Sequence, residues 1–277
     1  MIDDVAFRKM HGLGNDFVVV DARMRTLELT DKVVRALANR HTGVGFDALL
    51  VIKPAYAGGD AFMTVHNADG SLSSACGNGA RCVAALLMEE NQRDSVVIET
   101  MAGLNKATRT QNGDVSIDMG PARLDWQDIP LTKETDTLHL GISEGPLIDP
   151  VAVSIGNPHT IFFVEDVEVV DLANYGPLLE KHSLFPEHTN VEVVQVLGQD
   201  HLRMRVWERG SGITQACGTG ACAATVAAVR RNLSDRHVTV TLDGGDLLIK
   251  WRDDGHVVMT GPVVESFYGT INGNLLL

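Results

Sequence analysis

Short apolar runs broken by glycine, asparagine and aspartate dominate this chain. In the first half, "FVVVDA", "ALLVIK", "FMTVHN", "SVVIET" and "VSIDMG" are rich in β-branched residues and predict strands. The second half repeats the style with "VAVSIG", "TIFFVE", "VEVVQV", "LRMRVWE", "HVTVTL", "LLIKW" and "HVVMTG". Helical spacing predicts helices over 30–41, with Thr30 as N-cap, and over 172–182, interrupted by Pro177. Two other stretches, "GARCVAALLM" and "GACAATVAAV", are apolar on nearly every side. A helix without a polar face must be buried all round, and a sheet curled around it does this in a strand-rich half. About twelve residues make a helix of roughly 18 Å, enough to fill such a wrap.

Each of these helices follows a cysteine and a glycine turn, "CGNGARC" at 76–82 and "CGTGACA" at 217–223. Sliding the chain along itself by the cysteine spacing aligns "FMTVHNADGS" with "LRMRVWERGS", so that Met63, Val65 and Asn67 fall on Met204, Val206 and Glu208. "VVIETMAG" meets "VTVTLDGG", and "GDVSIDMGP" meets "GHVVMTGP". Nearer the start of each half, "GLGNDFVVVD" resembles "SIGNPHTIFFVED", with Asn15 over Asn157. So many matches in nearly one register predict two homologous halves. Residues 121–150, with Pro121, Pro130, Pro146 and Pro150, are expected to hold the boundary. The halves are assigned as 1–121 and 122–263, with 264–277 returning to the first. The predicted class is α+β: two pseudo-symmetric domains, each a mostly antiparallel, barrel-like sheet around a central apolar helix, with the active site in the cleft between them.

Composition narrows the function. The 277 residues are 44% hydrophobic and 21% charged, which predicts a globular protein. A formal charge of −13 argues against nucleic acid or an anionic membrane as partner. No apolar run approaches the roughly 18–20 residues of a membrane span. The N-terminus lacks the apolar region of a secretory signal. Four cysteines, none in C-x-x-C spacing, argue against a disulfide scaffold or a structural zinc site. Thiols in a reducing cytoplasm are expected, with no bound metal.

A helix N-terminus presents amides and about half a positive charge. The field is expected to lower the pKa of Cys76 and Cys217. The first-turn amides of Gly77 and Asn78, and of Gly218 and Thr219, are expected to bind an anion. With the halves facing each other, a substrate carboxylate held there has its α-carbon flanked by two sulfurs. One thiolate then removes the α-proton and the opposite thiol delivers another, which is racemisation or epimerisation. A buried cysteine is ordinarily a small apolar filler, and Cys82 and Cys222 are assigned to packing on that ground. A non-enzymatic thiol protein, redox-active or metal-binding, is the alternative from another class.

At these residues the chain resembles the diaminopimelate epimerase family. The likeness runs over "KMHGLGNDFVVVD", "RHTGVGFD", "NADGS…CGNGARC", "GNPHTIFFV", "TNVEVV" and "ERGSGITQACGTGACA". It implies inversion of one stereocentre of LL-2,6-diaminopimelate to give the meso form, without pyridoxal phosphate or metal, in lysine and peptidoglycan precursor biosynthesis. It makes Cys76 and Cys217 the catalytic pair, with His159 and Glu208 adjusting their pKa values. Asn15, Asn67, Asn157, Asn190, Glu208 and Arg209 would recognise the substrate, much of this at its distal amino-acid group. The amides of Gly77, Asn78, Gly218 and Thr219 would hold the reacting carboxylate. Tyr268 matches a dimer contact, implying a homodimer. Ala48 stands where the family usually has Gln, and Ile213 where it commonly has Glu, which bears on efficiency and exact substrate. A proline or hydroxyproline racemase-type enzyme shares the two-cysteine logic, but its cyclic substrate gives Arg209, Glu208 and the asparagines no distal group to bind.

Overall fold

The computed structural model describes residues 4–73 and 76–276. The chain begins with β1 (Val5–Gly12), β2 (Asn15–Asp21), α1 (Asp31–Ala38), β3 (Ala48–Lys53) and β4 (Ala61–Asn67). It continues through β5 (Leu72–Ser73), α2 (Gly77–Asn91), β6 (Ser95–Thr100), β7 (Gly103–Arg109) and β8 (Val115–Pro121). Then come β9 (Ser143–Glu144), β10 (Leu147–Ile148), β11 (Val151–Ser154), β12 (Pro158–Phe163), α3 (Leu172–Glu180) and β13 (Asn190–Gly198). β14 (His201–Glu208), β15 (Gly212–Ile213), α4 (Gly218–Arg230), β16 (His237–Leu242), β17 (Gly245–Trp251) and β18 (His256–Gly261) lead to β19 (Val264–Ile271).

Residues 1–117 with 261–277 form one compact unit, and 118–260 form the other. This division falls a few residues ahead of 121 and 263. The proline-bearing segment lies inside the second unit rather than between units. Its Ile129, Leu131, Leu140, Ile142 and Leu147 are buried in a core with Phe162 and Val191, which ties the segment down.

In the first unit β1 pairs antiparallel with β2, β2 parallel with β3, β3 antiparallel with β4, β4 parallel with β6, and β6 antiparallel with β7. The second unit repeats this order of pairings through β11, β12, β13, β14, β16 and β17. α2 packs against β1, β2, β3, β4, β6 and β7, and α4 against β11, β12, β13, β14, β16 and β17. A sheet that meets one helix with six strands is curled around it, which explains helices built from Ala, Val, Cys and Leu. β19 pairs antiparallel with β1 and thus belongs to the first unit.

Thr30 caps α1 by accepting from the Val33 amide at 3.3 Å. The helix stops at Ala38 instead of running to 41, because the Asn39 side chain takes the amides of His41 and Thr42. α3 ends at Glu180 and passes through Pro177 without a break. A proline there gives up an amide bond and crowds the carbonyl four residues back, and the packing of α3 against β13, β14 and β15 outweighs this cost, so the expected interruption does not occur.

Candidate active site

In the first unit Cys76 is the N-cap of α2. Its backbone is extended and Sγ accepts the Gly79 amide at 3.3 Å. Gly79 leaves little room for a side chain: a Cβ would lie 3.0 Å from both Leu50 methyls and 3.3 Å from Cys76 Sγ. The turn between β1 and β2 places Leu13 and Gly14 at positive φ and delivers Asn15 to the start of α2. There Asn78 Nδ2 donates to Asn15 Oδ1 at 3.3 Å. Asn15 Nδ2 in turn donates to Asp47 at 3.0 Å. Asn67 ends β4, in register with Ala48, and donates to Ser71 Oγ at 2.9 Å. Ala48 is buried and contributes no polar atom from its side chain.

Beneath Asn15, Asp16 pairs with Arg40 at 2.7 Å and with the buried Lys9. Burial raises the Asp16 pKa, but the hydrogen bonds from Arg40 and Lys9 outweigh it and bring the carboxyl to about 2. Arg40 also holds Asp47 at 2.8 Å, so the partner of Asn15 is itself anchored.

In the second unit Cys217 caps α4 in the same manner, with Sγ accepting the Gly220 amide at 3.4 Å and the Thr219 hydroxyl 3.6 Å away. The charge around it is different. Burial pushes the Cys217 thiol well above its ordinary pKa, and the carboxylates of Glu208 and Glu192 add to the rise. The Thr219 and Gly220 hydrogen bonds only oppose this. The sequence-based expectation of a lowered pKa is therefore corrected for Cys217, because desolvation and two carboxylates outweigh the helix field.

Glu208 also has a raised pKa, from burial first, against hydrogen bonds from Thr214 and Cys217 and the charge of His159. His159 is fully buried on β12, with Nδ1 at 2.6 Å from Glu192 and Nε2 at 3.0 Å from Asn157 Oδ1. Asn157 Nδ2 donates to Thr219 Oγ1 at 3.4 Å. His159, Asn157, Thr219, Glu208 and Cys217 thus meet at the start of α4.

Asn190 and Arg209 form a separate group. Asn190 Nδ2 donates to the Pro158 carbonyl at 2.9 Å, and its Oδ1 accepts the Arg209 amide at 2.9 Å. The Arg209 guanidinium is exposed and donates to the Glu187 carbonyl at 2.9 Å. Tyr268 is exposed on β19, opposite Arg8 in register. Ile213 is exposed and pairs with Trp207. Cys82 and Cys222 are fully buried in their helices, and burial pushes Cys82 up to about 12, as fits packing residues.

Sequence reasoning missed three acids. Asp47 orients Asn15. Glu180 accepts from Trp207 Nε1 at 2.7 Å and from the Gly210 amide at 3.0 Å, fixing both sides of Glu208–Arg209. Glu192 is fully buried beside His159. The signal for the last was present, since a glutamate inside the valine-rich "TNVEVV" is out of keeping with a buried strand.

Twin units, each a sheet curled around a helix with a cysteine as N-cap, define a duplicated fold that solved structures share. A probable proline racemase from Agrobacterium radiobacter matches with a TM-score of 0.72, covering 96% of this chain and 92% of its own, at 16% identity. A PhzF-family phenazine biosynthesis protein from Bacillus anthracis matches with a TM-score of 0.69, covering 98% and 99% at 16% identity. These likenesses concern the fold alone. The sequence is more specific: the chain belongs to the diaminopimelate epimerase family, whose model matches residues 7–124 and 151–265. It is 55% identical to the diaminopimelate epimerase of Rhodospirillum centenum over 98% of this chain and 93% of that protein. It is 52% identical to that of Phenylobacterium zucineum over 96% and 97%.

Proposed function

We propose that this protein inverts one stereocentre of LL-2,6-diaminopimelate to give the meso isomer, a step of lysine and peptidoglycan precursor biosynthesis. The observation that carries the reading is the repeated cysteine cap, one on each buried helix, in a chain of this family. Inversion needs a base on one face of the α-carbon and an acid on the other, and each half supplies one sulfur. The Cys76 thiolate takes the α-proton, and the electron pair moves into the carboxylate as an enediolate. The first-turn amides Gly77, Asn78, Gly218 and Thr219 stabilise that charge. The Cys217 thiol then gives its proton to the opposite face and is left as thiolate. Its raised pKa supports this division of roles, because a thiol is what the second step consumes. The reverse reaction exchanges the roles.

Asn15, Asn67, Asn157 and Asn190 bind and orient the amino-acid groups, Glu208 pairs an ammonium, and Arg209 pairs a carboxylate bidentately. His159 and Glu208 tune Cys217. We assign the protein to the cytoplasm, where the reducing setting keeps the two cysteines as the thiol and thiolate that proton transfer needs. Among the described residues no helix is long and apolar enough to cross a membrane. We further assign a homodimer through β19, where Phe267 and Tyr268 are exposed apolar surface.

The test is α-proton exchange and epimerisation of LL-diaminopimelate in deuterated water under reducing conditions, with L-proline alongside. Turnover of diaminopimelate is expected. Turnover of proline alone, or no exchange with either, would overturn the reading.

A further inference from the structure

The shared order of strand pairings allows the two halves to be compared position by position. Phe17 on β2 faces Ala48 on β3, and His159 on β12 faces Asn190 on β13. Two residues further along those second strands stand Leu50 and Glu192. The glycines of the two capping turns confirm the match. A Cβ at Gly79 would meet the Leu50 methyls at 3.0 Å, and a Cβ at Gly220 would meet Glu192 Oε1 at 2.8 Å. All four side chains are fully buried. One helix therefore starts over a leucine and the other over a glutamate, with Phe17 and His159 at matching positions on the neighbouring strands.

A buried carboxylate is costly unless it is partnered. Glu192 Oε1 is held by His159, while Oε2 has no hydrogen-bond partner among the described residues. His159 Nε2 faces Asn157 Oδ1, and Asn157 reaches Thr219, whose hydroxyl lies beside Cys217 Sγ. A chain of four contacts thus joins the carboxylate to the sulfur.

We propose that Glu192 is a positioning residue of the epimerisation: it anchors His159 at the start of α4 and keeps Cys217 the proton-bearing thiol. This rests on the two-cysteine reading above. Glu192 acts through the sulfur and its neighbours and does not touch substrate.

The charged groups facing Cys217 are Glu208 from β14 and Glu192 from β13, and His159 from β12 stands against Glu192. The other charged groups of the packed strands lie elsewhere. Arg203 is tied to Glu168 and Asp243, and Arg205 to the carbonyls of Val167 and Val170. His237, Asp246 and Lys250 are exposed, and β11 carries no charged residue.

The experiment is the pH profile of kcat/KM for LL-diaminopimelate in wild type and E192Q. On this proposal the basic limb reports loss of the Cys217 proton. Removing a neighbouring negative charge lets that proton leave at lower pH, so the limb should move down by about one pH unit. The kcat should fall at least about tenfold with KM nearly unchanged, since no substrate contact is lost. A uniform loss of activity with the limb in place would mark Glu192 as merely structural and overturn the proposal. Should E192Q fail to fold, E192L is read in the same way, because it puts the leucine of the first half's matching position, Leu50, in place of the carboxylate; an unmoved limb there has the same meaning. A wild type inactive on diaminopimelate would sink the underlying reading instead.

Discussion

Gly12 lies against the guanidinium of Arg81: a Cβ at residue 12 would come within 2.8 Å of Arg81 Nη2. Arg81 belongs to α2 and is wholly buried, so its end can move only by repacking its neighbours. Gly12→Ala should therefore destabilise the protein by roughly 1–3 kcal/mol, as overpacking does. Urea unfolding of the variant against wild type measures it, and an unchanged midpoint would refute the clash.

The two cysteines should fail in different ways. Cys76→Ala and Cys217→Ala should each lower epimerisation by roughly 10²–10⁴-fold, the range for a lost acid or base. Cys217→Ala should nevertheless continue to exchange the α-proton of the LL isomer with deuterium, because the base on that face is intact. Cys76→Ala should do so with the meso isomer instead. NMR of the recovered substrates reads this directly, and exchange of both isomers by one variant would contradict one sulfur per face.

Asp16 makes stability depend on pH. Its folded pKa of about 2 lies below the ordinary 3.8, so its stabilisation is present above that ordinary value and is lost as pH falls towards 2. Asp16→Asn leaves Lys9 buried without its carboxylate and should cost on the order of 3 kcal/mol at pH 6. The gap between wild type and variant should narrow as denaturation is repeated from pH 5 to pH 3. A gap independent of pH would show that the carboxylate contributes no charge.

Arg209→Lys keeps the charge but removes the planar fork. Its KM for diaminopimelate should rise roughly ten- to a hundredfold, with a smaller change in kcat, as for lost binding to a non-reacting group. Steady-state kinetics decide it; a kcat collapse at constant KM would move Arg209 to the reacting end.

The duplication, the buried helices and their cysteine caps were legible because they are local. Capping needs a residue type at one position, and burial needs an unbroken run of small side chains. What escaped depended on neighbours distant in sequence. Glu192 alternates with Val191 and Val193, so a period of two reads it as facing solvent, whereas α4 covers that face. The helix field at Cys217 was legible, but the two carboxylates that outweigh it come from other strands. Asp47 and Glu180 look like ordinary acids until the hairpin and the loop they hold are folded against them. Pro177 shows the opposite error, a strong local signal that the surrounding packing overrides.

The strand β19 gives the fold an order in time. Residues 118–260 are continuous, and all their partners have been synthesised once β18 emerges. The first unit is different, since β1 waits for β19, which follows the whole second unit in the chain. The half begun first is thus finished last, and until then β1 presents an open edge. Chains ended just after Gly261 and released from the ribosome should protect the second cysteine's unit from proteolysis and leave the first sensitive.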